Sequence, residues 1–127
     1  MMKFLWMRLP LLLVPFASCV FANSAATQSN RYIHVGEDLI DGSPAYVDVT
    51  TINQVNGTEH TYVIVYAPGP DRSEEYAKVN CNNPSSIFLQ KAIYYSQNAV
   101  TKSTAINYQQ PAQDLYYRAN QAVCGRR

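Results

Sequence analysis

Apolar and polar residues alternate with a period near two through most of the chain from Tyr32 to Thr104, and Gly, Pro, Asn and Asp break the alternation at intervals. A period of two places successive side chains on opposite faces of an extended strand, so the pattern predicts short strands joined by tight turns. Tyr32–Val35 is the first, ended by Gly36 and the acidic Glu37-Asp38. Asp41-Gly42 marks a turn, and Ala45–Val49 is the second strand. Thr50-Thr51-Ile52 predicts a bend. Asn56-Gly57 favours a type I′ hairpin turn joining Ile52–Val55 to Thr58–Tyr66. The latter run is rich in Val, Ile, Thr and Tyr and apolar on both faces at its middle, which predicts a central strand. Ala67-Pro68-Gly69-Pro70-Asp71 stops the pattern, and Arg72–Glu75 reads as exposed polar chain. Tyr76–Cys81, Ser86–Tyr95 and a weaker Ala99–Thr104 follow, separated by Asn82-Asn83-Pro84 and Ser96-Gln97-Asn98. Lys91 falls on the more apolar alternation of its strand, which predicts an edge or a bend there.

Near the C-terminus the period changes. Leu115, Ala119 and Val123, with Tyr116 and Ala122 beside them, form one apolar stripe of a helix. Pro111 suits its first turn, Asp114 its positive end, and Gly125 its stop, with Arg126-Arg127 at the negative end of the dipole. Strands followed by one terminal helix predict an α+β fold: a mostly antiparallel sheet with the helix packed on one face.

The N-terminal segment stands apart. Lys3 and Arg8 precede an apolar run from Leu9 to Phe16, broken only by Pro10 and Pro15 and followed by small residues. This is the pattern of a secretory signal peptide, too short to span a bilayer. Val20-Phe21-Ala22 fits cleavage after Ala22, giving a signal peptide of residues 1–22. Alternatively, Phe16-Ala17-Ser18-Cys19 resembles a bacterial lipoprotein signal of residues 1–18 with lipid attached at Cys19. Asn23–Asn30 is a small, polar leader, and residues 31–127 form the single predicted domain. Removing Lys3 and Arg8 leaves eight Lys and Arg against nine Asp and Glu. A near-neutral domain offers no field for nucleic acid.

Either processing route leaves Cys81 and Cys124 as the two thiols free to pair. An exported chain meets an oxidising compartment, where one intramolecular disulfide is available to it. That bond would tie helix to strand and contribute about 4 kcal/mol on the loop-entropy view. An interchain disulfide is the alternative; a redox-active pair would want the Cys-x-x-Cys spacing that is absent.

Candidate chemistry is sparse. The two histidines, His34 and His60, read as strand residues on or near the surface, and neither belongs to a zinc pattern. Asp38 and Asp41 lack calcium-loop spacing and read as a solvated acidic loop; Glu74-Glu75 reads as a charged loop. No phosphate loop or serine elbow occurs, so neither enzyme nor cofactor nor metal site is expected. Asn56-Gly57-Thr58 is formally a glycosylation acceptor, but the hairpin turn accounts for it. The ten tyrosines serve packing, recognition or both, because tyrosine joins a large contact area to a polar tip. In Tyr94-Tyr95 and Tyr116-Tyr117 one ring of each pair should reach the surface.

Ala45-Tyr46-Val47-Asp48 with Thr51-Ile52, the long Tyr/Val strand, Tyr76 through Asn80-Cys81, Ile93-Tyr94-Tyr95, Pro111 and Ala122-Val123-Cys124 together resemble the bacterial surface-adhesin protein E-like family, over roughly residues 31 to 125. Tyr108 stands nearest to the aromatic that the family places before its helix-preceding proline. The resemblance implies a small exported domain with an antiparallel sheet, a terminal helix and a helix-to-sheet disulfide. It also implies an adhesin, with host matrix or plasma proteins as partners and a homodimer as an assembly. The expectation is therefore a non-enzymatic protein-binding domain of a Gram-negative envelope, in the periplasm or on the outer membrane. The rival is a periplasmic accessory or inhibitor protein acting through the Ala67–Glu75 loop.

Overall fold

The computed structural model describes residues 30–126. The predicted signal peptide, Cys19 and all of the leader but Asn30 lie outside those residues. Residues 32–127 form one compact unit; of the other unit, residues 1–31, only Asn30 and Arg31 are described. Six strands come in order, β1 (Tyr32–Glu37), β2 (Pro44–Gln54), β3 (Glu59–Tyr66), β4 (Ser73–Asn80), β5 (Ser86–Ser96) and β6 (Ala99–Pro111), and then helix α1 (Leu115–Cys124). The sheet order equals the chain order, with every neighbouring pair antiparallel. Short connections leave a meander as the simplest route.

Register sorts the side chains between two faces. Ala45 pairs with Tyr66 and Val47 with Ile64, Tyr62 with Ala77, and Ala77 with Leu89. All of these are buried on one face, together with Val79 and Ile87, and α1 lays Ala119 and Val123 over them. The helix packs on β1, β2, β3 and β5. Cys124 at its end is bonded to Cys81, just past β4, with Cα atoms 5.5 Å apart. The predicted α+β architecture and its disulfide are thus present.

Beneath the helix, polar groups are paired. Asn120 is fully buried; it accepts from Tyr62 Oη at 2.7 Å and donates to the carbonyls of Pro84 and Ser86 at 2.9 and 3.1 Å. One amide therefore joins α1 to β3 and β5, and among the described residues no buried side-chain N or O lacks a partner. Gly36 has φ +145°, a backbone conformation that favours glycine, and the far end of the Arg118 side chain lies over it.

Several local expectations are corrected. Thr50–Ile52 remains within β2, but the register slips there. Between the Asp48–Val63 and Asn53–Thr61 pairs, β2 advances five residues and β3 two. Thr51 Oγ1 fills the gap by donating to Asp48 O at 2.6 Å and accepting from Val63 N at 2.9 Å. Asn56-Gly57 lies in a four-residue loop and neither residue has positive φ. Asn56 Oδ1 instead accepts from the amides of Thr58 and Glu59. The two-residue turn with positive φ at both positions, which is the type I′ signature, is Gln97 (52°) and Asn98 (66°). Strand β4 starts at Ser73, so Arg72–Glu75 is not exposed loop. Strand β6 runs past Thr104 to Pro111, which pairs with Ser86. A proline is tolerated there because β6 is an edge strand, and the helix begins four residues later.

Candidate functional site

The predicted chemistry-bearing residues do not converge. His34 lies on β1 beside Glu37, with Nε2 2.9 Å from the carboxylate and both side chains more than half exposed. His60 is a correction: it is 5% exposed, because its register partner is Val79 on the helix-side face, and its Nδ1 lies 3.6 Å from Cys81 Sγ. Asp38 and Asp41 each accept from a backbone amide two residues on, Ile40 and Ser43, and so shape the β1–β2 loop. Among the described residues no group of three His, Cys, Asp or Glu could hold a metal.

Glu74 and Glu75 are also corrected, since as adjacent strand residues they face opposite sides. Glu75 points under α1 and accepts from Tyr66 Oη at 2.6 Å and from Tyr116 Oη at 2.9 Å. Burial pushes its carboxyl above the usual value, although both tyrosine donors pull it down. The same burial, with the Glu75 charge nearby, pushes both tyrosine hydroxyls up. This is a clamp joining β3, β4 and α1.

The surface is more informative. Strand β6 has thirteen residues, of which only Ile106 and Gln110 are partly buried. Its inner edge pairs with β5, while its outer edge has no strand beside it among the described residues. Val100 and Tyr108 on β6 and Tyr94 on β5 are roughly half exposed. Lys102 Nζ stands 5.6 Å from the Tyr94 ring. At the opposite edge of the sheet, Leu39 and Ile40 at the β1–β2 loop tip are 92% and 95% exposed. The amide–carbonyl bond of Asp38 to Ser43 and the two aspartate side chains fix that tip.

The loop after β3 is shorter than predicted, ending at Arg72. It is held from several sides: Arg72 donates to Gly69 O, Asn98 Oδ1 and Glu74, Asn98 N donates to Pro70 O, and Gln97 N to Asp71 Oδ1. The tyrosine pairs divide as expected. Tyr94 and Tyr117 reach solvent, whereas Tyr116 is tied to Glu75 and Tyr95 lies under the Arg72 guanidinium at 3.9 Å. The free β6 edge carried only a weak sequence signal, because a strand exposed on both faces need not alternate. The exposed Leu39-Ile40 tip was visible as two apolar residues between aspartates. No family model matches the chain, and neither curated proteins nor solved structures give a match.

Proposed function

We propose that this chain is a non-enzymatic, exported protein-binding domain of the bacterial envelope, similar in role to the protein E-like adhesins, which makes contact through the β6 edge. The observation that carries this reading is the strand itself: thirteen residues, largely exposed on both faces, with an outer edge that no strand among the described residues pairs with. Such an edge pairs readily with an extended segment of another chain, through main-chain hydrogen bonds and side-chain pockets. Tyr94, Val100 and Tyr108 add apolar area beside it, and the partner class is a host matrix or plasma protein. The double variant Val100→Lys/Tyr108→Lys keeps the fold but opposes strand addition. Saturable binding of the wild type to immobilised laminin or fibronectin, lost in the double variant, is the expected result. Together with removal of the protein from intact cells by external protease, that result supports an adhesin. Unchanged binding by the variant would overturn the role of β6.

A periplasmic inhibitor is the second reading, favoured by the pinned Ala67–Arg72 loop. A loop already fixed by its own hydrogen bonds has less entropy to lose on entering an enzyme cleft. Co-purification of a periplasmic hydrolase, abolished by Arg72→Ala, separates this case from adhesion.

A further inference from the structure

The sheet face opposite α1 is not covered by any described element, and it holds two small grooves of about 200 and 270 Å³. They adjoin through the register: Lys78 borders one, and its cross-strand partner Thr61 borders the other. One groove has Phe88 with Asn80, Gln109 and Lys78; the other has Tyr76 with Gln90. A bulge assembles the second. Opposite Tyr76 and Ala77, β5 steps from Lys91 to Leu89, so the extra residue Gln90 stands beside Lys91 next to the tyrosine.

Each ring has a cation over it. Lys78 Nζ lies 5.5 Å from the Phe88 centroid and Lys91 Nζ 4.7 Å from that of Tyr76. Among the described residues, neither ammonium has a carboxylate within ion-pair distance. The third pair on this face, Arg72 over Tyr95, differs because its guanidinium is taken by Glu74 and the β5–β6 turn. The two lysine–aromatic pairs therefore remain open to a ligand, while the arginine pair is part of the framework.

A sugar ring presents an apolar C–H face and a rim of hydroxyls, and a site for it must supply both kinds of partner side by side. Aromatic rings supply the first. Amide side chains, which carry donors and acceptors together, supply the second. An ammonium beside each ring adds a counter-charge for a carboxylate or sulfate on the stacked sugar. We propose that this face binds an acidic oligosaccharide, with successive sugars on Phe88 and Tyr76, their hydroxyls on Asn80, Gln90 and Gln109, and their acidic groups on Lys78 and Lys91. This site is separate from the β6 edge and does not depend on it. Glu59 borders the first groove beside Lys78, and single-stranded nucleic acid would also use rings and cations, so an oligonucleotide is included in the test.

The test is calorimetric titration of the disulfide-intact protein with hexasaccharides of hyaluronan and heparin, with trigalacturonate, with neutral chitohexaose, and with a ten-nucleotide oligothymidylate. Saturable binding of at least one acidic saccharide, about tenfold tighter than chitohexaose, is expected. Phe88→Ala should weaken it by about tenfold. Lys78→Gln/Lys91→Gln, conservative and at the surface, should reduce it to the level of the neutral sugar. The Val100→Lys/Tyr108→Lys variant should bind saccharide as the wild type does, which separates this site from the protein-binding edge. Absence of binding to all three acidic probes, tighter binding of oligothymidylate, or undiminished binding by the lysine variant would overturn the proposal.

Discussion

Glu75 is where the polar and apolar demands of this fold meet in one side chain. Its carboxyl is raised above 4.5 by burial, so between that value and its folded pKa the native chain holds more protons than the unfolded one. Stability from this group is therefore complete below about pH 4.5 and declines as pH rises through the folded value. Glu75→Gln removes the titration and retains a hydrogen-bonding group. The unfolding free energy of the wild type in urea should fall from pH 4.5 towards neutrality relative to the variant; parallel profiles would show that Glu75 is not the titrating group. Such residues were hard to read in the chain. Glu75 follows Glu74 in a run of charge, yet the strand pleat sends one to solvent-side partners and the other beneath the helix. His60 is buried for the same reason, its face being set by register, and Asn120 because it lies on the side of α1 turned to the sheet; a polar residue with a distant partner leaves no local trace. Cys81 and Cys124 were legible because the expected removal of the N-terminal segment would leave them as each other's one intramolecular partner.

Helix α1 is an element held by its surroundings. It has ten residues, no side-chain cap bond at Asp114, no acidic residue in its first turn and no basic residue in its last. A helix this short is marginal by itself, so the packing of Ala119 and Val123 and the bond at Cys124 must hold it. Cys81→Ala/Cys124→Ala should lower the unfolding free energy by about 4 kcal/mol. It should also speed amide exchange across Leu115–Cys124 more than across β3. Helix amides that keep their protection in the variant would mean that packing alone suffices. The stripe that foretold this helix was plain, but its start was not, since Pro111 serves an edge strand as well as a helix N-terminus. The turns show the same division. Both Asn56-Gly57 and Ser96-Gln97-Asn98 were visible as breaks, whereas the turn type follows loop length: four residues separate β2 from β3, and two separate β5 from β6.

Across the whole molecule, the meander was readable because every connection is short and each strand finds its partner next in sequence. The length of β6 was not, because exposure on both faces removes the alternation that marks a half-buried strand. This asymmetry predicts a gradient of local stability. Strand β3 is flanked on both sides and buried from Tyr62 to Tyr66, so its amides should exchange only on global unfolding. The amides of Val100–Ser103, on an exposed edge strand, should exchange orders of magnitude faster. Uniform protection over both strands would mean that the β6 edge is covered in solution. A further consequence follows from where the disulfide falls. Cys81 and Cys124 close a covalent ring that encloses β5, β6 and the exposed turn between them. A protease that cuts at Gln97-Asn98 therefore releases nothing: the two fragments stay joined through sulfur and zipped by the β5–β6 ladder. In the exported setting proposed above, the chain could be nicked at this exposed turn and persist as a two-chain molecule of nearly unchanged mass, separable only by reduction and unfolding.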